Sequence, residues 1–214
     1  MSAQTEDQVV IELSENGPLL VKGSVNIRNS RGEDLPGRKA MALCRCGGSG
    51  NKPFCDGTHS KIAFSGKREI DKPLHRERAY RAERITIHDN RTICFHAKEC
   101  VNNLSSVFDV NEKPWINPDG ADVEQVIDVV KKCPSGALSY SIDGEHYRNF
   151  DRKPAITVTK NGPYNIVGGV KLMVEENLQP PAMEHYSLCR CGVSKNKPYC
   201  DGSHNEFGFV DEKN

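Results

Sequence analysis

Apolar and polar positions along the chain change period several times, and each change predicts an element. Residues 11–27, IELSENGPLLVKGSVNI, set apolar runs on both sides of Asn16-Gly17-Pro18, a turn signal, and predict a β-hairpin. In the middle, ITIH (85–88) reads as a short strand. VEQVIDVVKKC (123–133) places Val123, Val126, Ile127 and Val130 at i, i+3, i+4 and i+7, one face of a helix that Asp119 or Asp122 can cap. ALSYSI (137–142) alternates as a strand. Strand, cysteine loop, helix, cysteine, strand is a compact α+β order. The stretch KREIDKPLHRERAYRAER (67–84) is charged throughout and reads as a solvated linker or exposed strand, with partner docking as the other reading.

Much of this pattern occurs twice. Adding 145 to a residue number carries Asn16-Gly17-Pro18 onto Asn161-Gly162-Pro163, Gly23 onto Gly168, Cys44 onto Cys189, His59 onto His204 and Phe64 onto Phe209, with no gap. The spacing is too long for a solenoid and predicts a duplicated small domain. The units expected are an N-terminal domain (1–66), a charged linker (67–84), a middle domain (85–153) and a C-terminal domain (154–214).

Composition narrows the function. The 214 residues carry no net charge, and residues 1–66, 67–153 and 154–214 carry +1, 0 and −1, which gives no support for nucleic-acid or membrane binding. Apolar residues make up only 36%, so three small units have thin cores and need a staple. The start, MSAQTEDQ, lacks a signal-peptide apolar run, and no stretch approaches the roughly 20 apolar residues of a membrane span. A cytoplasmic, reducing setting is expected. There, grouped cysteines bind metal more often than they form disulfides, and nine cysteines cannot all pair.

The terminal groups are Cys44, Cys46, Cys55 and His59, and Cys189, Cys191, Cys200 and His204. Cys-x-Cys holds two thiolates close enough to share an ion. Cys55 and His59, at i and i+4, share a face if Cys55 begins a helical turn. Three cysteines and a histidine suit a tetrahedral zinc or a [2Fe–2S] cluster with one histidine ligand, and spacing alone leaves both open. Arg45, Arg190, Lys52 and Lys197 either offset cluster charge and donate to a sulfide, or face solvent.

Both segments match Cys-x-Cys-x2-Ser/Thr-x3-Pro-x-Cys-Asp-Gly-Ser/Thr-His, through Ser49, Pro53 and Cys55-Asp56-Gly57-Thr58-His59 in the first copy and Ser194, Pro198 and Cys200-Asp201-Gly202-Ser203-His204 in the second. This resembles the mitoNEET-type CDGSH iron–sulfur family. The resemblance implies a [2Fe–2S] cluster in each copy, held by the three cysteines and the histidine. It also implies swapped strands between two motif-bearing units, which two copies in one chain can satisfy internally. The fold expected is therefore α+β, small and β-rich: two duplicated CDGSH-type domains in a pseudo-two-fold pair, with a ferredoxin-like α+β domain between them, in a monomer.

The middle group is Cys94, Cys100 and Cys133-Pro134. Bacterial ferredoxins use Cys-x2-Cys-x2-Cys with a remote Cys-Pro. Here Ala97 stands where the second cysteine would be. Residues 85–145 resemble the divergent single-cluster ferredoxin domain, which implies a [3Fe–4S] cluster on three cysteines, or a [4Fe–4S] cluster with water, His96 or Glu99 as the fourth ligand. Trp115 reads as a packing anchor, and His75, His88, His146 and His185 as structural or exposed. No nucleophile–base pair, phosphate loop or convincing carboxylate pair stands out, so no enzyme activity is expected. The expected function is electron transfer with flavoprotein or ferredoxin-type partners. Cluster storage, transfer to apo iron–sulfur acceptors or redox sensing is the alternative, and a structural zinc protein ranks third.

Overall fold

A computed structural model of the chain describes residues 8–214, so most of the polar start read above lies outside the described residues. The N-terminal part contains β1 (Val10–Leu13), β2 (Leu19–Lys22), β3 (Asn26–Arg28), β4 (Ala40–Leu43) and a helical turn, α1 (Thr58–Lys61). The middle part contains β5 (Arg78–Arg81), β6 (Thr86–Asp89), α2 (Glu99–Asn103), α3 (Val123–Lys131), β7 (Leu138–Ile142) and β8 (Glu145–Tyr147). The C-terminal part contains β9 (Ala155–Val158), β10 (Tyr164–Val167), β11 (Lys171–Met173), β12 (Tyr186–Leu188) and α4 (Ser203–Phe207).

The expected hairpin is β1–β2, with Leu13 opposite Leu19 and the turn closed by Gly17 N–H to Ser14 O at 3.2 Å. Its counterpart is β9–β10. The third strand of each copy leaves its own sheet. β3 pairs in parallel with β9 (Asn26 opposite Ala155), and β11 pairs in parallel with β1 (Val10 opposite Lys171). The sheet orders are β11-β1-β2-β4 and β12-β10-β9-β3. Strands of three or four residues make few ladder bonds each, and a borrowed strand completes each sheet to four. Alternate residues face inward: Ile11, Leu19, Val21, Leu43, Ile156, Val158 and Ile166 are all at most 1% exposed.

The middle sheet is antiparallel, ordered β5-β6-β7-β8. Arg78–Arg81, the end of the charged stretch 67–84, is thus an edge strand, and its Tyr80 is buried. The start of that stretch lies on the C-terminal copy, where Glu69 N–H donates to Lys195 O at 2.8 Å and Arg68 Nε to Asn196 Oδ1 at 2.8 Å. α3 buries Val126, Val129 and Val130. Asp122, rather than Asp119, starts α3, with Gln125 Oε1 accepting from its N–H at 3.2 Å in a capping box. No described helix is long and apolar enough to cross a membrane.

Candidate metal centres

Each terminal site is a loop between the last strand of a sheet and a short helical turn. In the first copy Cys44 N–H donates to Pro53 O and Cys55 N–H to Ala42 O, both at 2.8 Å. The motif's other residues hold that loop. Ser49 Oγ donates to Phe54 O at 2.7 Å, and the Asp56 carboxylate accepts from Gly50 N–H at 2.8 Å and Thr58 N–H at 3.0 Å. The second copy repeats this through Ser194 to Tyr199 O at 2.7 Å, and Asp201 from Lys195 N–H at 2.8 Å and Ser203 N–H at 3.0 Å. Hydrogen bonds from Thr58 and then Gly50 hold the Asp56 carboxyl well below the usual carboxylate range.

Cys55 does not begin a helical turn. The helix starts at Thr58, after Gly57 in a left-handed conformation (φ 87°). The turn closed by Asp56 brings Cys55 back onto the histidine, with Sγ 3.3 Å from His59 Nδ1. Cys200 Sγ and His204 Nδ1 are also 3.3 Å apart. Cys44 and Cys46 Sγ are 3.7 Å apart, and Cys189 and Cys191 3.6 Å. Each site is therefore a cysteine pair and a cysteine–histidine pair. Among the described residues, three ligand atoms come within 4.8 Å of one another only at Glu77, His88 and His146. There Arg148 already supplies a cation, donating to Glu77 at 3.2 Å and to His146 Nδ1 at 3.0 Å.

Burial pushes the Cys46 thiol up to about 11, and raises Cys200 as well. Cys189 is the exception, held down to about 6 by the Cys191 thiol and then by the amides of Ser194 and Gly192. Three thiolates in such surroundings call for a positive partner. Amide donors are already turned on sulfur: Gly48 N–H to Cys46 at 3.4 Å and Gly57 N–H to Cys55 at 3.5 Å.

Arg45 and Arg190 do not face solvent. Both are buried and tie the hairpin turn of their own copy to the cysteine loop. Arg45 Nε donates to Gly17 O at 2.8 Å and its Nη2 to Ser14 O at 2.7 Å; Arg190 does the same to Gly162 and Thr159 at 2.6 and 2.7 Å. Arg190 also donates to Asp211 at 2.5 Å. Lys52 and Lys197 donate to the Ser49 and Ser194 carbonyls, both at 2.6 Å. Each of the four cations thus has a backbone carbonyl as partner, and Arg190 and Lys197 each also face a carboxylate, Asp211 and Glu69.

The two loops touch each other. Cys46 and Cys191 form an antiparallel bridge. Gly47 and Gly192, at φ 78° and 85°, follow those cysteines, and a Cβ on either would run into the facing cysteine's carbonyl. The sites differ in cover. Cys55 and His59 are half-buried, whereas Cys200 and His204 are buried. The cover is the middle part: the Phe95 ring lies 6.2 Å from His204, and Asn196 Nδ2 donates to Thr92 O at 2.8 Å.

The middle cysteines converge on one cavity of about 300 Å³, lined by Cys94, Cys100 and Cys133 together with Ala97, Asp89 and Trp115. Burial pushes the Cys94 thiol up to about 11 and raises Cys100. His96 and Glu99 line the cavity but are exposed. Trp115 packs on Tyr80 and Phe108 and carries Arg91 over its ring at 4.8 Å. Sequence reasoning passed over Asp89. It shares strand parity with Ile85 and Ile87, all three at most 3% exposed, so an acid in register with two core isoleucines was the signal. Of the remaining histidines, His88 and His146 stack on each other, His185 is buried on Glu184, and His75 is exposed.

The nine cysteines are free and, with two histidines, make three thiol-rich ligand sets, the mark of an iron–sulfur-binding protein. Residues 16–60 and 161–205 match the family described as iron-binding zinc finger, CDGSH type, and residues 80–143 match the divergent 4Fe-4S mono-cluster family. The protein YjdI of Escherichia coli (strain K12) is 44% identical over 63 residues, which are 29% of this chain and 83% of the relative; YjdI of Escherichia coli O157:H7 matches equally. The chain belongs to the CDGSH iron–sulfur family, with a divergent 4Fe-4S mono-cluster segment between its two CDGSH motifs.

Proposed function

We propose that the chain is a multi-cluster electron carrier, with a [2Fe–2S] cluster on Cys44, Cys46, Cys55 and His59, a second on Cys189, Cys191, Cys200 and His204, and a [3Fe–4S] or [4Fe–4S] cluster on Cys94, Cys100 and Cys133. The observation that carries this is contiguity. The terminal loops meet at Cys46 and Cys191, and the middle site abuts the second loop through Phe95 and His204. Such clusters, when bound, exchange single electrons. The chain's part is to hold three ligand sets side by side and to keep water from the C-terminal one. Flavoprotein or ferredoxin-type proteins fit as partners, in a reducing, cytoplasmic setting that keeps nine thiols free.

The paired ligand geometry favours two irons per terminal site over one zinc. Donors bound to one zinc at about 2.0–2.3 Å can be no farther apart than about 4.6 Å, and neither Cys3His set gathers three donors that tightly. The strand exchange within one chain supports a monomer with an internal pseudo-two-fold pair. A second reading, cluster storage or transfer to apo iron–sulfur acceptors, is favoured by one observation: Cys55 and His59 are more open than their counterparts.

Iron, zinc and acid-labile sulfide on anaerobically purified protein, followed by a reductive titration, test the proposal. Reversible reduction with all iron retained supports electron transfer. Zinc without sulfide overturns both readings. Iron passing to an apo-ferredoxin on mixing favours the second.

A further inference from the structure

We infer that Asp89 is the missing fourth ligand of the middle site, so that Cys94, Cys100, Cys133 and the Asp89 carboxylate together hold a [4Fe–4S] cluster. This rests on the proposal that the middle site takes a cluster at all. Ala97 has no donor to offer at the position where a second cysteine would sit, and it lines the same cavity as Asp89. The Asp89 side chain is 2% exposed, and its Oδ1 is buried with no hydrogen-bond partner. The other oxygen, Oδ2, faces Arg91 Nε at 3.9 Å, beyond hydrogen-bond length, and the Trp115 indole is the other donor that acts on this carboxyl. A carboxylate placed this way costs free energy unless something bonds to the bare oxygen.

Asp89 shares that one cavity with Cys94, Cys100 and Cys133. A carboxylate and three thiolates around one cavity would be stabilised by a multiply charged cation between them. The exposed His96 and Glu99 reach water and have no such need. Ligation by Asp89 would satisfy its unpartnered Oδ1 and would follow the usual hydrogen-bonding of ligand carboxylates.

The test uses the full chain, purified anaerobically, with total iron and sulfide counted and the oxidised protein examined by electron paramagnetic resonance. The wild type should hold about eight iron and about eight sulfide per chain. Asp89→Asn keeps the shape and removes the charge; it should drop to about seven iron, keep its sulfide and gain the signal of an oxidised three-iron cluster. Asp89→Cys should restore the eighth iron. Asp89→Asn with about eight iron overturns the inference, and so does a wild type with about seven iron and eight sulfide; the function proposed above survives either. About four of each in the wild type leaves the middle site without a cluster and removes that reading together with the inference. Should Asp89→Asn fail to fold, the reduced wild type in 17O-enriched water decides. No exchangeable oxygen on the middle cluster is expected, and a coupled water oxygen overturns the assignment.

Discussion

Tyr164, on the second strand of the C-terminal hairpin, donates its phenol to the backbone carbonyls of Cys44 and Pro53, both at 2.9 Å, in the other copy. It is fully buried, and the position it duplicates is Leu19, which has no hydroxyl. One copy therefore shapes the cysteine loop of its neighbour, and the favour is not returned.

Tyr164→Phe should destabilise the chain by about 1–3 kcal/mol, the cost of leaving buried carbonyls short of a donor. Denaturant unfolding measures the loss. The N-terminal site should also release its iron faster than the C-terminal one, followed by visible absorbance. Equal release from both sites would show that the phenol does not support the loop.

Acid should empty the two terminal sites in sequence. Burial holds the His204 imidazole below its ordinary value. A depressed histidine stabilises the folded state fully above its unfolded pKa of about 6.5 and loses that contribution as pH falls through the lower folded value. His59 is more open to water. Iron loss at falling pH should begin at His59, and His59→Cys should remove that first phase while leaving the second. A single unchanged phase in His59→Cys would rule this out.

Arg45 and Arg190 occupy equivalent places with unequal consequences. Arg190→Ala leaves the Asp211 carboxylate buried and unpaired, with an expected loss of about 3–5 kcal/mol. Arg45 bonds carbonyls and lies over the Phe64 ring at 5.2 Å, without a carboxylate partner. Arg45→Ala should cost less. Paired thermal melts compare them, and equal losses would mean that the ion pair is not what separates them.

Gly47→Ala should separate the terminal sites. The left-handed backbone alone penalises a Cβ by about 1–2 kcal/mol, before the collision with the Cys191 carbonyl. Freeze-quenched reduction should find the two sites equilibrating more slowly than in the wild type. An unchanged rate would place the electron route elsewhere.

Local features were legible in the sequence because they are set by neighbours in the chain. The hairpin at Asn16-Gly17-Pro18, the Val126–Val130 face of α3 and the ligand sets follow from spacing of a few residues. The exchange of β3 and β11 was not legible from periodicity, since Asn26–Arg28 has the same alternation whichever sheet it joins; it was expected only from resemblance. For Arg45 and Arg190 sequence left two readings open, and burial excludes the solvent-facing one, because side-chain length carries each guanidinium to the turn carbonyls. Asp89 was hidden by its type: acids near strand ends are usually solvated, and only its parity with Ile85 and Ile87 sets it apart.

The parallel pairing of Val10 with Lys171 also fixes an order of events during synthesis. β1 waits for an edge partner that is made only after the whole middle part. The N-terminal cysteine loop, likewise, meets Tyr164 late. The first ligand set is thus among the last to be locked in place, and a chain truncated before residue 171 would present it in an unfinished sheet.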